Sequence, residues 1–179
     1  MENFPLRRIS TVQLARNPYW EYWLDTYSLR DGREQPYYFV HTRGSVMIIP
    51  ITEDGSLVMV RQFRYLWQRE SIEFPGGGIP EGATPEQQAH RELQEEAGYA
   101  AGILERIGEY NPMNGVTDER CHVYVARQLH PVAKADDPVE ETAPLLVTTE
   151  ELVARIADGT IWDGMTLAAW ALFSAQRER

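Results

Sequence analysis

Residues 74–99 read FPGGGIPEGATPEQQAHRELQEEAGY, and no other stretch constrains the fold as strongly. Ala89, Leu93 and Ala97 recur every fourth residue, which on an α-helix makes one apolar stripe. Thr84 is placed to N-cap that helix, Pro85 to occupy its first position, and Gln87 to complete a capping box. Gly98 suits the left-handed residue that ends it. Glu92, Glu95 and Glu96 stand at i, i+3 and i+4, so they are expected to share a face about one turn long. Like charges so spaced cost about 0.2–0.5 kcal/mol per pair. A divalent cation bound through oxygen would offset that repulsion. A solvated helix face gives the same acidic run, but Phe74-Pro75-Gly76-Gly77-Gly78 stands just ahead of it. That stretch reads as a loop without side-chain bulk, whose backbone can come close to a metal or phosphate. The expected unit is strand, glycine-rich loop and acidic helix.

The chain has 179 residues, enough for a domain with a substantial core. Its 43% hydrophobic and 25% charged content is that of a soluble globular protein. A net charge of −10 argues against non-specific nucleic-acid binding, which depends on Lys and Arg. An acidic chain that takes an anionic, phosphorylated small molecule needs a cation between the two. Cys121 is the single cysteine, so there is no internal disulfide. A buried structural thiol and a reducing, cytoplasmic setting are expected. Neither a signal peptide nor a membrane span is legible.

Strands are expected over Tyr19–Ser28, Tyr37–Thr42, Ser45–Thr52, Leu57–Arg64, Glu70–Phe74, Ile103–Tyr110, Arg120–Gln128 and Pro144–Val147. Glu53-Asp54-Gly55-Ser56 signals a hairpin. Asn111–Glu119 is a polar loop and His130–Glu141 an acidic one. Thr148 caps a second helix, with Glu151 at the capping-box position and Gly159 as its stop. Asp163–Arg177 reads as a final helix with Leu167, Trp170, Ala171 and Ser174 inward.

Gly77 through Tyr99 resembles the Nudix box, GX5EX7REUXEEXGU, where U is a bulky apolar residue. The half from Arg91 to Tyr99 is intact, and the first glutamate of the pattern falls on Ala83. Val60-Arg61-Gln62-Phe63-Arg64-Tyr65, Glu70–Gly76 and Gly159–Asp163 are similar to the ADP-ribose and nucleoside-diphosphate-sugar pyrophosphatases of that family. The resemblance implies an α/β fold, the Nudix α/β/α sandwich with a mixed sheet, over residues 45–179. It also implies N-terminal strands over 1–44 used in dimerisation, giving a homodimer.

The activity implied is metal-dependent hydrolysis of the diphosphate bond of ADP-ribose or a related nucleoside diphosphate sugar. Another nucleotide substrate or a non-catalytic sensor are the alternatives. Gly76, through its carbonyl, and Glu92, Glu95 and Glu96 are the implied ligands of Mg²⁺ or Mn²⁺. Glu140 is the implied water-orienting residue, Glu141 the second choice, and Glu95 and Glu96 join the catalytic set. Arg64 is expected near the diphosphate, with an exposed strand-end arginine as the alternative. Tyr19, Trp20 and Trp23 are candidates to stack on a base, although aromatics on strands are more often core. Asn114 and Gly115 stand where the ADP-ribose branch carries a proline, which opens the sugar specificity. Arg91 is expected to hold the box together through a carboxylate, and His90 to lie on the helix face.

Overall fold

The computed structural model describes residues 6–134 and 142–177. The chain divides into two compact units, one comprising residues 1–43 with 111–120 and the other 44–110 with 121–179.

In the first unit β1 (Arg7–Arg16), β2 (Glu21–Ser28) and β3 (Glu34–His41) form an antiparallel sheet in that order. Segment 111–120 is tied to β3. The Val40 N–H donates to Val116 O at 2.9 Å and the Tyr37 hydroxyl to Gly115 O at 3.1 Å. Strand β1 is absent from the sequence expectation. Register shifts between Arg8 and Ser10 and between Gln13 and Ala15 break the period-two pattern by which a strand is recognised.

The second unit holds two sheets. One runs β10 (Thr142–Val147), β5 (Leu57–Arg64), β6 (Arg69–Glu73) and is antiparallel. The other runs β7 (Gly76–Gly78), β4 (Ser45–Pro50), β9 (Cys121–Pro131), β8 (Tyr99–Tyr110). Its β4–β9 pair is parallel and its other pairs antiparallel, so the sheet is mixed. All six residues of β4 are buried. Met47 and Ile49 join a core that includes Leu152 of α2 (Thr149–Ala157) and Ala169 and Phe173 of α3 (Gly164–Arg177). Val46 and Ile48 join a second core that includes Ala89, Leu93 and Ala97 of α1 (Pro85–Ala97). Helices therefore cover both faces, and the α/β/α sandwich follows from one strand with two buried sides.

Helix signals matched the sequence closely. Thr84 and Thr148 each cap through both arms of a capping box, and Gly98 is left-handed at φ 72°. Asp163 caps α3, its carboxylate accepting the Thr166 N–H at 2.7 Å. Two expectations need correction. On α3, Thr166, Ala169 and Phe173 are buried and Leu167 and Trp170 pack against the core as expected, whereas Ala171 is exposed. The glycine-rich stretch is not wholly a loop, because Gly76–Gly78 pairs with Ser45–Met47. Three glycines carry no side-chain pattern, so only the partner strand reveals this pairing. Cys121 is fully buried, as expected. Among the described residues no helix is long and apolar enough to cross a membrane.

Candidate active site

Glycine strand β7 lies directly against the acidic side of α1. The Gly76 N–H donates to Glu96 Oε2 at 2.8 Å. A Cβ on Gly77 would overlap the Glu92 carboxylate, and one on Gly76 would overlap the Val46 carbonyl and Met47 Sδ. Glycine is required here by close approach of backbone to carboxylate. Both acids are nearly buried, Glu92 at 8% exposure and Glu96 at 7%. Glu92 is also held by its own helix, since Gln88 Nε2 donates to its Oε1 and Arg91 donates to Gln88 Oε1.

Glu95 does not share this environment. It is exposed and its Oε2 lies 3.8 Å from Arg91 Nε. The expectation of three carboxylates pointing one way is corrected to two inner acids and one outer. Successive helical residues are turned by about 100°, so Glu95 and Glu96 cannot face alike. Among the described residues no group of three or more His, Cys, Asp or Glu side chains is gathered as a metal site. Two carboxylates and the backbone of β7 are what the structure brings together.

The glycine segment is anchored on two further sides. The Ile48 N–H donates to Pro75 O at 2.9 Å, and the Phe74 N–H to Thr166 Oγ1 at 3.1 Å. Next in the chain, Glu73 is 4% exposed and accepts both Nε (2.7 Å) and Nη2 of Arg64. This fork raises the Arg64 pKa above its ordinary value. Burial opposes the shift, and the negative field of Glu73, Asp163 and Glu96 adds to it.

Arg64 is thus fixed by Glu73, with its side chain 43% exposed, and lies within the field of Glu96. Tyr19 is 82% exposed and Trp20 43%; with Asn114 they belong to the first unit. Glu140 and Glu141 lie outside the described residues. Ala83, at the position of the first box glutamate, packs against the α1 core, and His90 is on the exposed helix face.

Three site residues went unmarked in the sequence reading, and a fourth, Gly77, makes a close approach that it did not specify. Glu73 had a legible signal, an acid at an inward strand position immediately before Phe74-Pro75. Thr166 had one too, a hydroxyl on the apolar side of a helix. Gln88 and the second role of Gly77 had none, because each depends on a neighbour that only the fold supplies.

The donor set suits a hard cation. Its two inner acids are hard carboxylate oxygen donors, and the β7 backbone is held where side-chain bulk cannot intrude. The second unit is an α/β/α sandwich with two nearly buried acids beside a glycine strand. The model of the NUDIX domain family matches residues 41–168, and the chain belongs to that family as a Nudix pyrophosphatase. It is 28% identical over 171 residues to an ADP-ribose pyrophosphatase of Bacillus subtilis (strain 168), covering 94% of this chain and 92% of the relative. It is 30% identical over 168 residues to a methanol dehydrogenase activator of Bacillus methanolicus, covering 93% and 91%. A crystal structure of an ADP compounds hydrolase superposes with a TM-score of 0.82 at 20% identity, covering 97% of this chain and 94% of that one, and so shares its fold.

Proposed function

We propose that this chain hydrolyses the diphosphate bond of ADP-ribose or a related nucleoside diphosphate sugar, releasing a nucleoside monophosphate and a sugar phosphate. The observation that carries this reading is the pair of nearly buried carboxylates, Glu92 and Glu96, set against the Gly76–Gly77 backbone. The bacterial relative named as an ADP-ribose pyrophosphatase supports the substrate class.

Glu92, Glu96 and the Gly76 carbonyl would hold Mg²⁺ or Mn²⁺, and Glu95, on the solvent side, is the acceptor available to a second ion. When bound, such ions neutralise diphosphate charge and lower the cost of the leaving phosphate. The protein's own share is orientation. Arg64 has two of its five N–H donors committed to Glu73, which fixes the plane of the rest toward an incoming phosphate oxygen. Glu140 orients the attacking water and accepts its proton. Water adds to one phosphorus while the bridging oxygen leaves with the other phosphate. Tyr19 and Trp20 offer ring faces for a base, and Asn114 an amide for the sugar.

Residues 1–44 serve as the dimerisation segment. All ten residues of β1 are exposed, Ile9, Val12 and Leu14 among them, and apolar surface of that kind fits burial against a second copy. A cytoplasmic location goes with the single thiol.

A panel of ADP-ribose, ADP-glucose, GDP-mannose, UDP-glucose, diadenosine polyphosphates and nucleoside triphosphates, assayed with Mg²⁺ and with Mn²⁺, tests the reading. Metal-dependent monophosphate release confined to the sugar diphosphates is expected. Turnover of triphosphates or polyphosphates instead would overturn the substrate class. No turnover at all would move the chain to a non-catalytic nucleotide-sugar sensor.

A further inference from the structure

Two arginines stand opposite each other where β5 meets β6. Arg64 and Arg69 are partners in the antiparallel register, so their side chains leave the same face, and like charges so placed repel. Glu73 offsets the charge of Arg64 through its fork. Arg69 is met differently. Its guanidinium lies 4.1 Å from the ring centroid of Trp162 and 5.9 Å from that of Trp67, and among the described residues no carboxylate pairs with it. The Trp162 indole is itself held, its Nε1–H donating to Glu70 O at 3.2 Å. A guanidinium laid on a ring keeps both its charge and its N–H edge. The neighbouring acids are engaged elsewhere. Glu70 stands opposite Phe63 on the other face, and the Asp163 carboxylate caps α3.

The face that carries both arginines is the one turned toward the acidic helix. Alternate residues of a strand share a face, so Arg69 is in line with Glu73, and Arg64 with Gln62 and Val60. Val60 packs with Ala89 and Leu93 of α1. Thr142, the partner of Gln62 in β10, donates its hydroxyl to Glu96 O at 3.1 Å. Arg69 opens β6 and Glu73 closes it, which sets Arg69 about 13 Å further out along the strand. Beside it the Trp67 ring is 66% exposed. An uncompensated guanidinium edge suits phosphate oxygens, and an exposed indole face suits a planar base. We propose that Arg69, Trp162 and Trp67 form a subsite for a nucleoside monophosphate group, with the phosphate on Arg69 and the base on Trp67. This ring face of the second unit is additional to Tyr19 and Trp20 of the first. The group has two sources, the nucleotide half of the substrate or a separately bound nucleotide acting as an effector. The first source rests on the function proposed above; the second does not.

The test uses the full chain without divalent metal and compares Arg69→Ala, Arg69→Lys, Trp67→Ala and Trp67→Phe with the parent. Calorimetry is run with AMP, GMP, UMP and ribose 5-phosphate, and thermal midpoints are recorded for every variant. Stacking on an indole tolerates different bases, so the parent should bind all three nucleotides, and Trp67→Ala should weaken each about tenfold or more while sparing ribose 5-phosphate. Trp67→Phe keeps a ring and should keep most of the affinity. Arg69→Ala should weaken all four probes by a similar factor, and Arg69→Lys, which lacks the flat fork, should restore it only in part. The lysine and phenylalanine variants carry the comparison if an alanine variant does not fold. The source is then read from inhibition of ADP-ribose hydrolysis by AMP in the parent with Mg²⁺. Competitive inhibition assigns the subsite to the substrate's nucleotide half. Any other pattern, or AMP binding by a chain that does not turn over ADP-ribose, assigns it to an effector. Nucleotide binding that is unchanged in the Arg69 and Trp67 variants would overturn the proposal, as would a parent that binds none of the nucleotides. So would loss of ribose 5-phosphate binding in Trp67→Ala to the same degree as AMP, which would show that Trp67 acts through the fold.

Discussion

The Gly76 N–H donates to Glu96 Oε2 at 2.8 Å, so the glycine strand and the acidic helix orient each other. Glutamine at 96 keeps an acceptor for that N–H and removes the charge. Glu96→Gln should therefore fold with a thermal midpoint close to the parent while kcat with Mg²⁺ falls at least about 100-fold. Calorimetric titration with Mn²⁺ alone should show weakened binding. Full activity in the variant would remove Glu96 from the metal set.

A methyl group on Gly77 would occupy the space of the Glu92 carboxylate. Gly77 lies in strand β7 and not at a left-handed position, so backbone strain is not the issue. Gly77→Ala should displace Glu92 and lower metal affinity about 10–100-fold. Gly78→Ala, where an added Cβ meets nothing within 4 Å, should leave metal affinity unchanged. The contrast between adjacent glycines, read by Mn²⁺ titration, separates close approach from a general need for flexibility.

Thr166 is fully buried on α3 and its hydroxyl accepts the Phe74 N–H at 3.1 Å, two residues before Gly76. Thr166→Val keeps the shape and orphans that N–H, at a cost of about 1–3 kcal/mol. Thr166→Ser keeps the acceptor and loses a methyl, at a cost of about 0.5–1.5 kcal/mol. If Thr166 positions the glycine strand, valine lowers Mn²⁺ affinity as well as the thermal midpoint and serine restores the affinity. If both variants lose only stability, the role is confined to packing.

The parts of this architecture that depend on near neighbours in sequence were legible. Thr84, Gln87 and Gly98 bracket α1 through contacts three to four residues apart, and the Ala89–Leu93–Ala97 stripe is a local period. The parts that depend on distant neighbours were not. Helix rotation separates Glu95 from Glu96, but which of them faces inward becomes visible only when β7 covers one, and β7 exists only because Ser45–Met47 lies beside it. The Arg64–Glu73 fork spans a hairpin whose register pairs Val60 with Glu73, and no propensity encodes that register. Strand β1 was hidden by its own bulges. The resemblance to a known family supplied the sandwich and the roles of the acids. Composition and spacing alone yielded the order of strands and helices, with an acidic helix after a glycine-rich stretch, and not the roles of the acids.

The Arg64–Glu73 pair joins a nearly buried carboxylate to a guanidinium whose side chain is 43% exposed. The Arg64 pKa is raised in the fold, first by its hydrogen bonds to Glu73. A raised value means that the stabilisation is fully present below the ordinary arginine value and is lost only as pH climbs through the higher folded value. Arg64 should thus show no titration at working pH. Lysine at 64 cannot make the two-pronged fork, and its ordinary pKa of about 10.4 lies much closer to accessible alkaline conditions. Arg64→Lys should lower stability by about 1 kcal/mol at neutral pH, a figure reduced because solvent screens the exposed side. The gap from wild type should widen as pH rises toward that lysine value. It should also raise KM for the sugar diphosphate more than it lowers kcat, since the remaining N–H donors lose their fixed plane. Thermal midpoints taken across alkaline pH for both proteins check the first claim, and steady-state kinetics at neutral pH check the second. A gap that stays constant with pH would show that Glu73 is held by something other than the residue at 64.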